Sequence, residues 1–208
     1  MDVNQFQQAA NISVVMATRL FPYFVESMEL SDIATPLDKA MFIAQTGHES
    51  NGFMATTENF NYSVETLQEL FVPYRISRAQ AQALGRRQGE PALPLIRQKA
   101  IANLVYQGRL GNSAVGDGWK YRGRGYLQIT FRDNYRACGN ALKLDLVANP
   151  EILEQEREAV RSAAWFWQSK GCSRYQGNIV RVTRIINGGQ HGLAERKARF
   201  ERACAVLR

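Results

Sequence analysis

The stretch Gln45–Tyr62, "QTGHESNGFMATTENFNY", carries two glutamates, Glu49 and Glu58, nine positions apart with no lysine or arginine between them. Just upstream, "TPLDKAMFIAQTGHES" sets Thr35 as a helix N-cap, Pro36 at the first helical position and Asp38 in the first turn. Leu37, Met41, Ala44 and His48 follow at helical spacing, so the segment reads as a helix that buries this stripe and stops near Ser50. Glu49 then lies beside the stripe at the helix C-terminus, where the dipole disfavours a carboxylate; it reads as the protonated member of the pair. Glu58, in the polar run "TTENFNYS", reads as the ionised member. Spacing alone also permits two solvated surface acids.

Working outward, the dominant pattern is helical. "NYSVETLQELF" is a helix capped by Ser63 and ended before Pro73, and "SRAQAQALG" is a short one stopped by Gly85. Further helices are expected at about 94–107, 131–142, 154–170, 177–186 and 192–206. The segment "GNSAVGDGWKYRGRGYLQIT" breaks this pattern: its glycines interrupt any helix, and "GYLQIT" favours a short hairpin. The expected fold class is all-α, one catalytic domain over 1–208. A proline- and arginine-rich stretch at about 73–112 is read as a small inserted lobe, and no separate wall-binding domain is expected.

Composition narrows the function. The 208 residues are 45% hydrophobic and 22% charged, enough for a packed core. No run approaches the length of a membrane span, and "MDVNQFQQAANIS" has neither the basic start nor the apolar core of a secretory signal. A cytoplasmic chain is expected on this basis. Three cysteines, Cys138, Cys172 and Cys204, are odd in number and widely spaced, a poor disulfide framework. A net charge of +7 favours a polyanionic partner without choosing among nucleic acid, membrane and cell-wall polymer.

Cleaving a glycosidic bond requires a protonated acid at the leaving oxygen and a second carboxylate that activates water. Glu49 and Glu58 suit those roles. The motifs "GHESNGF", "TTENFNYS", "YRGRGYLQITFRDNY" and "RIINGGQHGLAERKARF" occur in this order. Together they resemble glycoside hydrolase family 19, and within it most nearly the short phage and prophage endolysins. The likeness runs from about residue 35 to the C-terminus and is weakest over 73–112. It implies a lysozyme-like, chitinase-like helical body, no metal and no cofactor. It also implies an inverting mechanism, with Glu49 as general acid, Glu58 as general base and Thr130 holding the water. Gln128, Asn134 and Asn187 match substrate-contacting positions, and Arg196 matches an arginine near the acid. Tyr62 is read as a cleft residue, and one of Trp119, Tyr121 and Tyr126, with Tyr121 the choice, as a sugar contact. The plant members carry a carboxylate shortly after Asn-Gly-Gly, where this chain has Gln190-His191. They also carry disulfides and secretion signals that this reading does not find here.

The implied substrate is peptidoglycan, cut at β-1,4 bonds by a monomer that stays in the host cytoplasm until a holin gives it access to the wall. Chitin is the alternative substrate. A zinc amidase is disfavoured because the chain has only His48 and His191 and no H-E-x-x-H. His48, on the apolar stripe, reads as a core histidine. A cysteine amidase would use Cys138 or Cys172 with His191. A nucleic-acid-binding module would need a recognised motif, and the arginines are instead scattered over several helices.

Overall fold

A computed structural model describes residues 1–207. Thr35 caps α3 (Pro36–Glu49) by accepting from the Asp38 backbone amide, and Pro36 occupies the first turn, where its missing N–H costs nothing. Two helices that the sequence pattern did not reveal precede it. They are α1 (Val3–Ala10), begun by an Asp2–Gln5 capping box, and α2 (Val14–Leu30), capped by Ser13. α1 offers only Phe6, Ala9 and Ala10 to the core, and α2 contains Pro22, ordinarily a helix breaker. Burial of Leu20, Phe24 and Met28 holds α2 together across the proline.

The chain continues through α4 (Val64–Phe71), α5 (Arg78–Leu84), α6 (Leu95–Tyr106), the single turn α7 (Asp117–Lys120) and α8 (Arg132–Leu142). After a 3₁₀ turn at Pro150–Glu154 come α9 (Glu156–Ser169), a second 3₁₀ turn at Cys172–Tyr175, α10 (Ile179–Asn187) and α11 (Leu193–Val206). Among the described residues no helix is long and apolar enough to cross a membrane. The expected hairpin is reduced to isolated bridges: Arg124 pairs with Ile129 on one side and Thr57 on the other, both antiparallel.

Three apolar clusters organise the molecule. The largest joins α1, α2, α3, α9, α10 and α11 around Phe24, whose ring meets Phe6, Phe42, Phe53 and Tyr126 at centroid distances of 4.8 to 6.4 Å. α3 is sheathed on nearly every side from Ala40 to Gly47, whereas Leu37, expected to start its buried stripe, is 45% exposed. Asp38 is buried instead, accepting from the Trp167 indole at 3.0 Å, and desolvation raises its pKa. A second cluster (Phe60, Leu67, Ile76, Ala81, Leu93, Ile101, Ala102, Val105) belongs to α4–α6. The third, around Tyr121, Ile129, Tyr135 and Cys138, lies under α8.

Gly85 shows how the second cluster closes. Its φ of −69° needs no glycine, but a Cβ there would lie 2.7 Å from Val64 Cα and 2.8 Å from the Ala81 carbonyl oxygen. Both are backbone atoms that cannot swing aside. Gly85→Ala should therefore cost about 1–3 kcal/mol of stability, read as a lower urea midpoint at constant m-value; an unmoved midpoint would show that the α4–α5 contact is loose.

Candidate active site

Glu49 is the last residue of α3, and the chain reverses immediately after it. Asn51, Gly52 and Phe53 all adopt left-handed backbone (φ 51°, 68° and 67°). Ser50 fixes the turn, its hydroxyl donating to the Thr46 carbonyl at 2.6 Å and accepting from the Phe53 amide at 2.9 Å. Phe53 then enters the main core, and the chain returns towards Glu58.

The Glu49 side chain, 19% exposed, accepts from Arg196 Nη2 at 2.5 Å. Arg196, on α11, is 2% exposed, and its other donors are also engaged: Nη1 by the Gln45 carbonyl oxygen and Nε by the His191 backbone carbonyl at 3.1 Å. Gln45 in turn donates to Thr183 at 2.9 Å. Asn187 joins the same system, donating to the His191 carbonyl at 3.1 Å and accepting from the Gly189 amide at 2.8 Å. The sequence reading placed Glu49 beside an apolar stripe with Arg196 near it, and the structure brings that buried guanidinium into contact with the carboxylate. His48 packs against Gly192, and its Nδ1 lies 2.9 Å from Glu195. Burial first, and then the Arg196 charge, lower its pKa.

Glu58 is held differently. Its backbone amide donates to the Gly123 carbonyl at 3.0 Å, and the Gly123 amide donates to Glu58 Oε2 at 2.7 Å. The Tyr106 hydroxyl donates to Oε1 at 2.9 Å, with Oε2 at 3.2 Å. Desolvation raises the Glu58 pKa, opposed in order by Tyr106, the Gly123 amide and the charges of Arg122 and Arg124. The polar sequence neighbours that suggested an ionised Glu58 do not set its surroundings: folding brings α6 and the 122–130 loop over it.

Gly123 is required by proximity. A Cβ there would come within 2.4 Å of Gln128 Oε1 and 2.5 Å of Glu58 Oε2, so the Gln128 and Glu58 oxygens converge over one backbone atom. Gln128 itself sits at φ 51°. Thr130 donates to the Gln128 carbonyl at 3.1 Å, and Asn134 donates to the Thr130 carbonyl at 2.8 Å, placing the three on one short arc. Tyr62 is half-buried between Phe60 and Phe71, and burial and then the Glu58 charge push its phenol pKa up.

Of the three aromatics considered as sugar contacts, Tyr121 is corrected. It is 2% exposed, and its hydroxyl is spent on the Val147 carbonyl at 3.0 Å. Tyr126 is wholly buried in the main core. Trp119 remains half-exposed, with the Arg122 guanidinium 3.9 Å from its ring centroid.

Sequence reasoning missed Tyr106, Gly123, Arg122 and Gln45. Tyr106 ends a helix in the stretch of weakest resemblance, and nothing in local spacing points it at Glu58. Gly123 could have been suspected from "YRGRGY", where loop glycines crowd a motif.

The cysteine alternative fails on burial. Cys138 and Cys172 are both fully buried, and desolvation pushes each thiol up to about 12, away from the reactive thiolate. Among the described residues no group of three or more His, Cys, Asp or Glu is placed to hold a metal ion.

Comparison with known proteins bears on the family and the fold. The glycosyl hydrolase 19 family profile, described as chitinase class I, matches residues 97–200, a span C-terminal to both glutamates. A Haemophilus influenzae protein described as glycosyl hydrolase family 19 domain-containing is 37% identical over 196 residues, covering 89% of this chain and 92% of that one. The chain therefore belongs to glycoside hydrolase family 19 and is a chitinase-like glycoside hydrolase. Endochitinase B of Nicotiana tabacum is 27% identical, aligned to 93% of this chain but only 59% of its own length. Chitinase C from Streptomyces griseus shares the fold at a TM-score of 0.60 and 18% identity, over 99% of this chain and 76% of that one. A bacterial family 19 chitinase matches at 0.60 and 19%, over 99% and 94%.

Tyr106→Phe removes the hydroxyl that most strongly opposes desolvation of Glu58. The Glu58 carboxyl should then ionise at a higher pH than in the parent, read by NMR titration of carboxyl-labelled glutamate. A titration midpoint that stayed put, or fell, would mean that Tyr106 does not govern this proton.

Proposed function

We propose that this chain is a peptidoglycan hydrolase of the endolysin type, cutting β-1,4 bonds between N-acetylmuramic acid and N-acetylglucosamine with inversion. The observation that carries the chemistry is the unlike anchoring of the two acids. Glu49 is gripped by Arg196 of the main body; Glu58 is gripped by Tyr106 and the 122–130 loop.

Glu49 gives its proton to the leaving oxygen, and the Arg196 guanidinium stabilises the carboxylate formed in that step. Glu58 takes a proton from the attacking water. Desolvation makes it a stronger base than an exposed carboxylate, while Tyr106 and the Gly123 amide keep it aimed. Thr130 and Gln128 hold the water and the sugar on the Glu58 side; Asn134, Asn187 and Tyr62 contact the glycan. Arg196 is a positioning residue. It meets Gln45 and the His191 carbonyl, and among the described residues Glu49 is its one acidic partner in hydrogen-bonding contact.

A net charge of +7 suits an anionic wall polymer and would draw the enzyme to it at low ionic strength. Release from the cytoplasm through a holin, and action as a monomer, complete the reading. Chitin is the second reading, favoured by relatives whose names are chitinases.

Glu49→Gln and Glu58→Gln should each lower release of reducing ends from purified peptidoglycan by about 10²–10⁴-fold, with the circular dichroism spectrum retained. EDTA and a thiol alkylating agent should leave the parent rate untouched. Wild-type protein that released amines instead of reducing ends would remove the glycosidase reading. NMR of the fresh product should show the inverted anomer; a retained anomer would exclude single displacement by water.

A further inference from the structure

The backbone amide that grips Glu58 belongs to a peptide unit held from both sides. Its N–H, on Gly123, donates to Glu58 Oε2 at 2.7 Å, and its carbonyl, on Arg122, accepts from the Tyr135 hydroxyl at 2.5 Å. Tyr135 comes from α8 and is wholly buried in the third apolar cluster. Its hydroxyl has no freedom to turn elsewhere. Arg124 Nη1 lies 2.9 Å from it, and a guanidinium has no acceptor, so the phenol oxygen must receive that bond. The single phenolic proton is left for the Arg122 carbonyl. Burial pushes the Tyr135 pKa up, which keeps that proton in place.

Arg124 is fixed in turn. Its Nε donates to Glu154 Oε1 at 2.7 Å, and Nη1 also donates to the Lys120 carbonyl at 2.7 Å. Its backbone exchanges hydrogen bonds with Ile129 at 3.1 and 2.8 Å. From the Arg124 guanidinium through Tyr135 and the 122–123 peptide, each link donates in the direction of Glu58. Hydrogen bonds aligned in this way polarise one another, strengthening each by about 10–30%. An amide whose carbonyl accepts a bond thereby becomes a better N–H donor.

Glu58 lies in the field of Tyr62 from its own segment, Tyr106 from α6, Arg122 and Arg124 from the loop and Tyr135 from α8, with Glu154 against both arginines. A base must be ionised to take a proton from water, and desolvation works against that. We propose that Tyr135 is a positioning residue for Glu58: its hydroxyl, oriented by the Arg124–Glu154 pair, polarises the 122–123 peptide so that the Gly123 amide holds the carboxylate ionised and aimed. The proposal rests on Glu58 being the base of the reaction. It makes two tyrosines responsible for that base, Tyr106 by direct contact and Tyr135 through a peptide bond.

The test uses Tyr135→Phe and a protein carrying 3-fluorotyrosine at position 135 alone. Both keep the buried ring; the first deletes the donor, and the second makes the phenol more acidic and so a stronger donor. NMR without substrate reads the Gly123 amide proton and the Glu58 titration midpoint. In Tyr135→Phe the amide proton should move upfield and Glu58 should ionise higher by about 0.2–0.6 pH unit, less than in Tyr106→Phe. Fluorotyrosine should move both signals the opposite way, which loosened packing cannot do. The acidic limb of kcat/KM against pH should follow the midpoint, moving to higher pH in Tyr135→Phe, because a base that keeps its proton longer is idle over a wider acidic range. If Tyr135→Phe loses its circular dichroism spectrum, the fluorotyrosine protein decides by the same signals. A Gly123 amide and a Glu58 midpoint that stay at the parent values would overturn the relay alone. Signals that move while the acidic limb stays put would overturn its role in the reaction, and with it Glu58 as the base.

Discussion

The buried Arg196 guanidinium is the constraint on which this structure turns. α3 and α11 pack along much of their length, and Arg196 lies between them with each of its three guanidinium nitrogens engaged. A charge taken out of water is tolerated only when paired and fully hydrogen-bonded; removing one partner of such a pair costs about 3–5 kcal/mol. Glu49, Gln45 and the His191 carbonyl meet that requirement together, and Thr183 and Asn187 hold those partners in turn. The last turn of α3 is thereby fixed against the C-terminal helix, and the direction of the Glu49 carboxyl is set by the body of the protein.

Glu58 answers to different elements. Its carboxylate is positioned by the end of α6 and by a bridge of single backbone pairs joining Thr56–Glu58 to Gly123–Gly125 and Ile129. The apolar cluster behind it belongs to α4–α6, distinct from the one beneath Glu49. The reversal at Asn51–Phe53 and the short run to Glu58 link the two anchoring systems along the chain, and the 122–130 loop links them again, with Gly123 on Glu58 and Tyr126 and Leu127 in the main core. In the proposed reaction this division matters, because an inverting hydrolase needs its acid and base apart, with room for water between them. Anchors drawn from different elements supply such a separation more rigidly than two residues on one helix.

Much of the helical framework was readable without coordinates. Thr35-Pro36, Ser63 and Ser77 are strong start signals, and their helices begin where those residues cap the chain. α1 and α2 were not legible, since a short polar helix and one crossed by Pro22 carry weak local signals and are stabilised by burying Phe6 and Phe24 against distant elements. The burial of Tyr121 and the exposure of Leu37 were equally hidden. Both depend on which neighbour arrives from elsewhere in the chain, and neither periodicity nor aromatic character encodes that.

The sequence by itself determined the helix starts, the excess of positive charge, the scarcity of metal ligands and the presence of two acids close together in a segment without basic residues. These are local or compositional properties, fixed by the order of residues alone. The tertiary structure decided which groups surround each acid. Arg196 reaches Glu49 across 147 residues of chain, Tyr106 reaches Glu58 across 48 and Gly123 across 65. Electrostatic character depends on solvent exclusion and on charges a few ångströms away, whatever their separation along the chain. That is why the burial of Glu58 under Tyr106 and the 122–130 loop emerged only from the fold, while the approach of Arg196 to Glu49 was already expected from the sequence motifs.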